Sequence, residues 1–405
     1  MLRLALLLLA TGTHSLGHGA WSWFGDPRAI THGSRTYIGW VDNHGGIRIA
    51  AYDRRTRRVT QGPVLKHLGR DDHNNPSILI RPDGRLMVFF SPHSGRYLPA
   101  GGGPSEMYYR VSRRPGDVRR FGRLHTIPTN TPGPLGYTYA NPLLRGRTVF
   151  MFWRGGNWLP SMSTWRAGRG WSRARTVIKV HGDNRPYVKY ALSGRRGISL
   201  AFTEGNPGEV TRSSIFYARL ERGRFGRADG SRAGRLPITP SRADRVYNGH
   251  GRGGKAWVLD TAIGAGGRPV ILFVSYPAER RAQNRYAVWT GKRWRVRRIG
   301  PPGPTLARNY PAGGMLDHED PSVVLLSRQV RGHFEIERWH TRDGGRHWTS
   351  SPVTSGSSED NVRPVVPWGR PHAGIVLWMR GSYPGWTTYM TRIELGRVAK
   401  PTPLG

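Results

Sequence analysis

The sequence predicts an all-β fold, a single-domain seven-bladed β-propeller, and three observations carry that reading. Seven short apolar stretches each follow a Gly-containing turn: HGGIRIAAY (44–52), DGRLMVFF (83–90), RGRTVFMFW (145–153), RRGISLAF (195–202), GRPVILFV (267–274), DPSVVLLS (320–327) and AGIVLWM (373–379). Their spacing averages roughly 55 residues, a little above that of common propeller blades. Most are followed by a second, aromatic-bearing hairpin, as at MYYRVS (107–112), STWRAGRGW (163–171), SIFYARLERGRF (214–225), RYAVWTGKRW (285–294), IERWHTRDGGRHW (336–348) and TTYMTRI (387–393). No segment keeps a helical period beyond two turns. The chain ends are expected to close one blade together.

The chain opens with MLRLALLLLATG, one Arg followed by a Leu- and Ala-rich run too short to span a bilayer. It reads as a secretory signal processed between Ser15 and Ala20, giving a leader over 1–20, a propeller over 21–405 and a secreted product. No later stretch is long and apolar enough for a membrane helix. Cysteine is absent, which excludes a disulfide framework and thiolate chemistry.

The net charge is +38, and 57 of the 63 cations are Arg. Such a surface draws in polyanions. The charge names that class of partner, nucleic acid, anionic polysaccharide or acidic lipid, and no more; the arginines are scattered and form none of the clustered tails of a nucleic-acid arm, so no nucleic acid is expected. A monomer is expected.

The stretch Asp71 to Gly95, DDHNNPSILIRPDGRLMVFFSPHSG, places ILI and LMVFF on either side of a PDG turn. Two antiparallel strands joined in this way bring their far ends together, so His73 and His93 are expected side by side at one rim. GYTYANPLLRGRTVFMFWRGGNW (136–158) repeats the geometry, with Tyr137 and Tyr139 before a strand pair and Arg154 after it. Two histidines, one or two tyrosines and an arginine from adjacent blades suit β-elimination at a uronic acid. Arg pairs with the sugar carboxylate, a neutral His or ionised Tyr takes the proton, and a Tyr or His protonates the leaving oxygen. That chemistry requires no metal or organic cofactor. Structural calcium is compatible with such a propeller, although no dense carboxylate cluster argues for it.

Thr341, Asp343, Gly345 and Trp348 fit the Asp-box pattern S/T-x-D-x-G-x-x-W, a blade-corner turn whose Asp caps backbone amides. WTGKRW (289–294) looks like a copy without the Asp.

From about residue 25 to 395 the chain resembles the BNR-repeat propeller family that includes ulvan lyases and rhamnose-glucuronate lyases. The matching segments are the His-bearing stretch above, TYANP with FWRG, RPYVKYA, SIFYARLERGRFGRADGS, AWVLDTAIGAGGRPVILFVSYP, GGMLDHEDPSVVLLSR and NVRPVVPWG. The resemblance implies a site at one mouth of the central channel. By position it makes His73 and His93 the catalytic-region histidines, Tyr139 the catalytic tyrosine, with Tyr137 the alternative on the same face, and Arg154 the carboxylate neutraliser. His93 or Tyr139 is then the base, and Tyr139 or His73 the acid. Asn74, Tyr137, Arg185, Tyr187, Lys189 and Arg212 are the expected substrate-binding residues. The chain departs from relatives at TEGNP (203–207), where Asn206 stands in place of a rim His, and at Gln283–Asn284 in place of Asp-His; altered substrate subsites are expected there. A glycoside hydrolase of the same fold, rhamnosidase or sialidase-like, and a non-catalytic glycan-binding propeller remain as other readings.

Overall fold

The structure, a computed structural model, describes residues 13–93, 107–129, 137–182, 184–369 and 374–398. Seven antiparallel sheets follow one another along the chain as the blades of a propeller. Blade I starts at strand Ala29–His32, blade II at Ser77–Ile80, blade III at Thr138–Arg145 and blade IV at Val188–Ser193. Blade V starts at Ala256–Ile263, blade VI at Gly314–Leu316 and blade VII at Asn361–Val365. The ring closes when His14–His18 pairs antiparallel with Met390–Arg397 and becomes the outer strand of blade VII.

The second strand of a blade lies between two neighbouring blades and is buried on both faces, so it reads as an unbroken apolar run with little alternation. All of Leu86–Phe90 and all of Gly197–Thr203 are buried. Six of the seven apolar stretches are these second strands, in blades II to VII. In blade I the stretch HGGIRIAAY supplies the third strand, Ile47–Asp53, and the second is Arg35–Val41. Among the described residues, helix is limited to three-residue turns.

Residues 1–12 of the expected leader lie outside the described residues. Its described part belongs to the propeller: His14–His18 is the closing strand, and Ala20 is buried and bridged to Val41.

Residues Trp21 to Arg28 are all buried and run through the middle of the ring. Trp21 Nε1 donates to the Arg363 carbonyl, Ser22 N donates to Asn75 Oδ1, and Asp26 N donates to Asn141 Oδ1. Phe24 touches Trp257, Arg28 reaches Met315, and Lys189 binds both Asp26 and the Trp23 carbonyl. With Ala20 on Val41, this one segment meets every blade or the loop leading into it. It therefore plugs the channel and forms a floor beneath the rim.

The charges buried there are paired, as a low-dielectric interior demands. Asp26 lies 3.0 Å from Arg28 and also binds Lys189, and Asp72 binds Arg363 and, at 2.5 Å, the Tyr383 hydroxyl. Burial pushes both carboxyls up, but these cations overcome it and hold them below the usual range.

Candidate active site

The rim site grows out of the blade II hairpin. Gly84, at φ 76, turns the chain with its N–H on the Arg81 carbonyl, and Asp83 caps Arg85 N. Ser77 then pairs with Phe89, and the same register continued past the strand ends sets His73 opposite His93. The two rings stack at 3.9 Å between centroids, 7° from parallel.

Asp71 holds both of them. Its Oδ1 lies 2.6 Å from His73 Nδ1 and its Oδ2 2.9 Å from His93 Nδ1. Asp72 Oδ1 lies 3.0 Å from the same His73 nitrogen. Burial alone lowers the pKa of both imidazoles. For His73, Asp71 and Asp72 overcome burial and raise it to about 9. For His93, burial and the neighbouring His73 charge prevail and lower it to about 4. At neutral pH the pair is one imidazolium and one neutral ring. Because Asp71 accepts from Nδ1 of His93, the lone pair of that ring is on Nε2.

Thr138 pairs with Arg154 across the first two strands of blade III, and its hydroxyl donates to the His73 carbonyl, which ties this blade to the His hairpin. The ladder breaks between Thr138 and Asn141, and Tyr139 sits in that break at φ 60, a backbone region costly for a bulky side chain. The break sends Tyr139 toward the centre, 5.5 Å from the His73 ring and in contact with Phe24 of the plug. Burial raises the Tyr139 hydroxyl well above its usual pKa, so it stays protonated.

Arg154 is 4% exposed, yet no carboxylate pairs with it among the described residues. Its guanidinium instead lies 4.4, 4.5 and 5.2 Å from the ring centres of Tyr139, Trp158 and Tyr187. A buried cation held by rings and lacking a counter-ion is a receptor for an anion brought by a ligand.

The expected binding residues divide. Tyr187 stands 5.9 Å from Tyr139, and Arg185 rests over Trp158 at 4.6 Å, both beside Arg154. Arg212 is exposed on the loop leading into Ile215–Glu221. Three others are corrected. Lys189 is 1% exposed and consumed by Asp26. Asn74 is a buried clip, accepting from His93 N and donating to the Gly69 carbonyl. Tyr137 packs in the core between blades II and III with Phe89 and Trp153, because the break at Tyr139 separates two tyrosines that a regular strand would place on one face. Gln283 is likewise buried in blade V, donating to the Gly300 carbonyl, and forms no subsite. Asn206 caps Gly208 N on the loop after Gly197–Thr203.

Several residues of the site were not singled out from sequence. Asp71 was visible in the DDH run, but nothing there says that it bridges two rings. Trp158 follows Arg154 in FWRGGNW. Trp386 lies edge-on to His73 at 6.1 Å, and its partner lies over 300 residues away in the chain.

Among the described residues, Asp71, His73 and His93 form the only group of three such side chains near enough to share a metal ion, with donor atoms within 4.8 Å. In the arrangement seen, Asp71 is already engaged by both rings. At the blade VI corner, Asp343 accepts from Arg346 N and His347 N, and Trp348 lies edge-on to Tyr286 of blade V at 5.2 Å.

Residues 35–300 match the profile of a family described as BNR repeat-containing. A curated ulvan lyase, PL25, from Pseudoalteromonas sp. (strain PLSV) is 24% identical over 382 residues, spanning 80% of this chain and 73% of that protein. A solved PL25 ulvan lyase bound to -[GlcA(1-4)Rha3S]- superposes with a TM-score of 0.73 at 16% identity, covering 96% of this chain and 95% of that one. The polysaccharide lyase Uly1 gives a TM-score of 0.58 at 10% identity, with 95% and 91% covered. At these identities the superpositions speak for the seven-bladed fold.

Proposed function

The chain belongs to the BNR repeat-containing family, and from that premise we propose that it is a polysaccharide lyase cleaving an anionic, uronic-acid-containing glycan of the ulvan or rhamnose-glucuronate kind by β-elimination. The observation that carries the reading is Arg154, a buried guanidinium without an acidic partner, set beside a neutral imidazole and a protonated tyrosine. The likeness to an ulvan lyase supports the same substrate class.

The uronate carboxylate pairs with the Nη atoms of Arg154, which withdraws charge and acidifies the neighbouring C–H. His93, with Nδ1–H held by Asp71, takes that proton on Nε2. The electron pair forms a double bond to the adjacent ring carbon and expels the glycosidic oxygen there, which receives the Tyr139 proton. Atoms balance: one chain becomes two, one ending in an unsaturated uronate. Such a polymer does not cross a membrane, so the proposal carries with it a secreted enzyme.

The test is incubation with ulvan, gum arabic and other uronate polysaccharides while ultraviolet absorbance and reducing ends are followed together. Both rising in step is the expected result. Reducing ends without absorbance favour hydrolysis by the same fold, and binding without either favours a non-catalytic propeller.

A further inference from the structure

A second recess of about 1030 Å³ opens beside the reaction site, lined among others by Lys179, His181, Asn184, Glu204, Arg245 and His250. It lies at the same end of blade IV as Tyr187. Val188 pairs with Phe202 and Thr203 with Ile215, so Glu204 and Ser214 continue from the strand ends that flank Tyr187. Arg185 links the two places, since its guanidinium shares the Trp158 ring with Arg154 while its chain neighbour Asn184 lines the recess. Asn157 and Trp158 hold left-handed backbone, at φ 52 and 62, which a bulky Trp rarely adopts and which marks the support of both guanidiniums as a built feature.

The lining suits a charged sugar. Lys179 and Arg245 are exposed and form no ion pair among the described residues. Glu204 accepts from Ser214 N at 3.0 Å and lies 3.6 Å from His250 Nε2, leaving mixed donors and acceptors for hydroxyls. The volume is at the upper end of ordinary ligand pockets, roughly 300–1,000 Å³.

We infer that this recess is a remote subsite that takes an anionic sugar unit, bearing a carboxylate or a sulfate ester, of the same chain whose reacting uronate sits at Arg154. The inference rests on the proposed function for the identity of that chain. The substrate then runs outward across blades III and IV, over Trp158 and Arg185, and is held at a second anionic point well away from the scissile bond.

The experiment reads binding, so it does not depend on turnover. In protein carrying His93→Ala, titration calorimetry measures the Kd for long ulvan, for chemically desulfated ulvan and for an ulvan tetrasaccharide. Adding Lys179→Ala with Arg245→Ala is expected to weaken long-polymer binding roughly tenfold and tetrasaccharide binding less than about twofold. A matched loss of two charges at the outer strand of blade V and the turn leading into it, Arg293→Ala with Arg295→Ala, is expected to cost less than about twofold, which separates a local subsite from general attraction to a basic protein. If the effect of the Lys179 and Arg245 pair vanishes on desulfated polymer, the anion is the sulfate; if it persists, it is a carboxylate. An unchanged polymer Kd, an equal loss from the blade V pair, or no polymer binding by the parent overturns the inference. Absence of unsaturated product from wild-type protein incubated with the same polymer, with the polymer effect intact in the His93→Ala background, overturns the lyase reading alone.

Discussion

Asp71 engages each imidazole through Nδ1, which leaves Nε2 on the far side of both rings. In Asp71→Asn the amide can accept from one ring only and must donate to the other, forcing the wrong tautomer on one histidine. Turnover is expected to fall by about 10²–10⁴ with near-ultraviolet dichroism unchanged; undiminished turnover would show that the His93 tautomer is irrelevant. In the wild type the acid limb of kcat/KM is expected at about 4, the His93 value, well below the ordinary histidine value. Stability has its own pH dependence. His73 is raised in the folded state to about 9, so its contribution is complete below the unfolded value near 6.5 and is lost as pH rises through 9. His93 is lowered to about 4, so the unfolded chain binds the extra proton between 6.5 and 4 and stability falls as pH drops through that window. Denaturant midpoints are therefore expected to peak between these limits, and the alkaline arm is expected to flatten in His73→Asn.

Two elements set what the sequence reveals. The blade II hairpin is regular, so adding its register to its turn is enough to bring His73 to His93, and the same logic brings Arg154 to the start of Thr138–Arg145. The residue pattern alone does not choose Tyr139 over Tyr137, a choice that only the family resemblance makes, because it depends on a break in the ladder that no residue type announces. Lys189 and Asn74 look like rim residues in the sequence. Their partners, Asp26 in the plug and the His93 amide, come from elsewhere in the chain, and only the fold shows that they are occupied. The closing strand carries a prediction of the same kind. Cleavage within Ser15 to Ala20 removes all or part of His14–His18 and strips that much of the outer edge from Met390–Arg397. Protein starting at residue 13 is expected to match the full chain in thermal midpoint, and protein starting at residue 20 is expected to melt several degrees lower, about 2–4 °C per kcal/mol lost. Equal midpoints would show that the closing strand adds nothing.

Across the whole molecule, the plug explains why the site lies at a mouth of the ring and not within it. Trp21 to Arg28 fills the channel, and its Phe24 supports Tyr139 and Tyr187 from beneath. Asp26 neutralises two buried cations at once, so Asp26→Ala is expected to destabilise the fold by about 3–5 kcal/mol in chemical denaturation; a smaller loss would mean that Lys189 and Arg28 find other partners. Among the cations that make up the net charge of +38, Arg28 and Arg363 are buried beside acids, whereas Arg154 is buried among aromatic rings and free of any acid among the described residues. The most direct test follows ultraviolet absorbance from the unsaturated uronate during incubation with ulvan, comparing wild type with Arg154→Ala. A rise in the wild type that drops by about 10²–10³ in the variant, with the fold intact by dichroism, is the expected result. A variant that keeps the wild-type rate would contradict the account, because the carboxylate would then be neutralised somewhere other than Arg154.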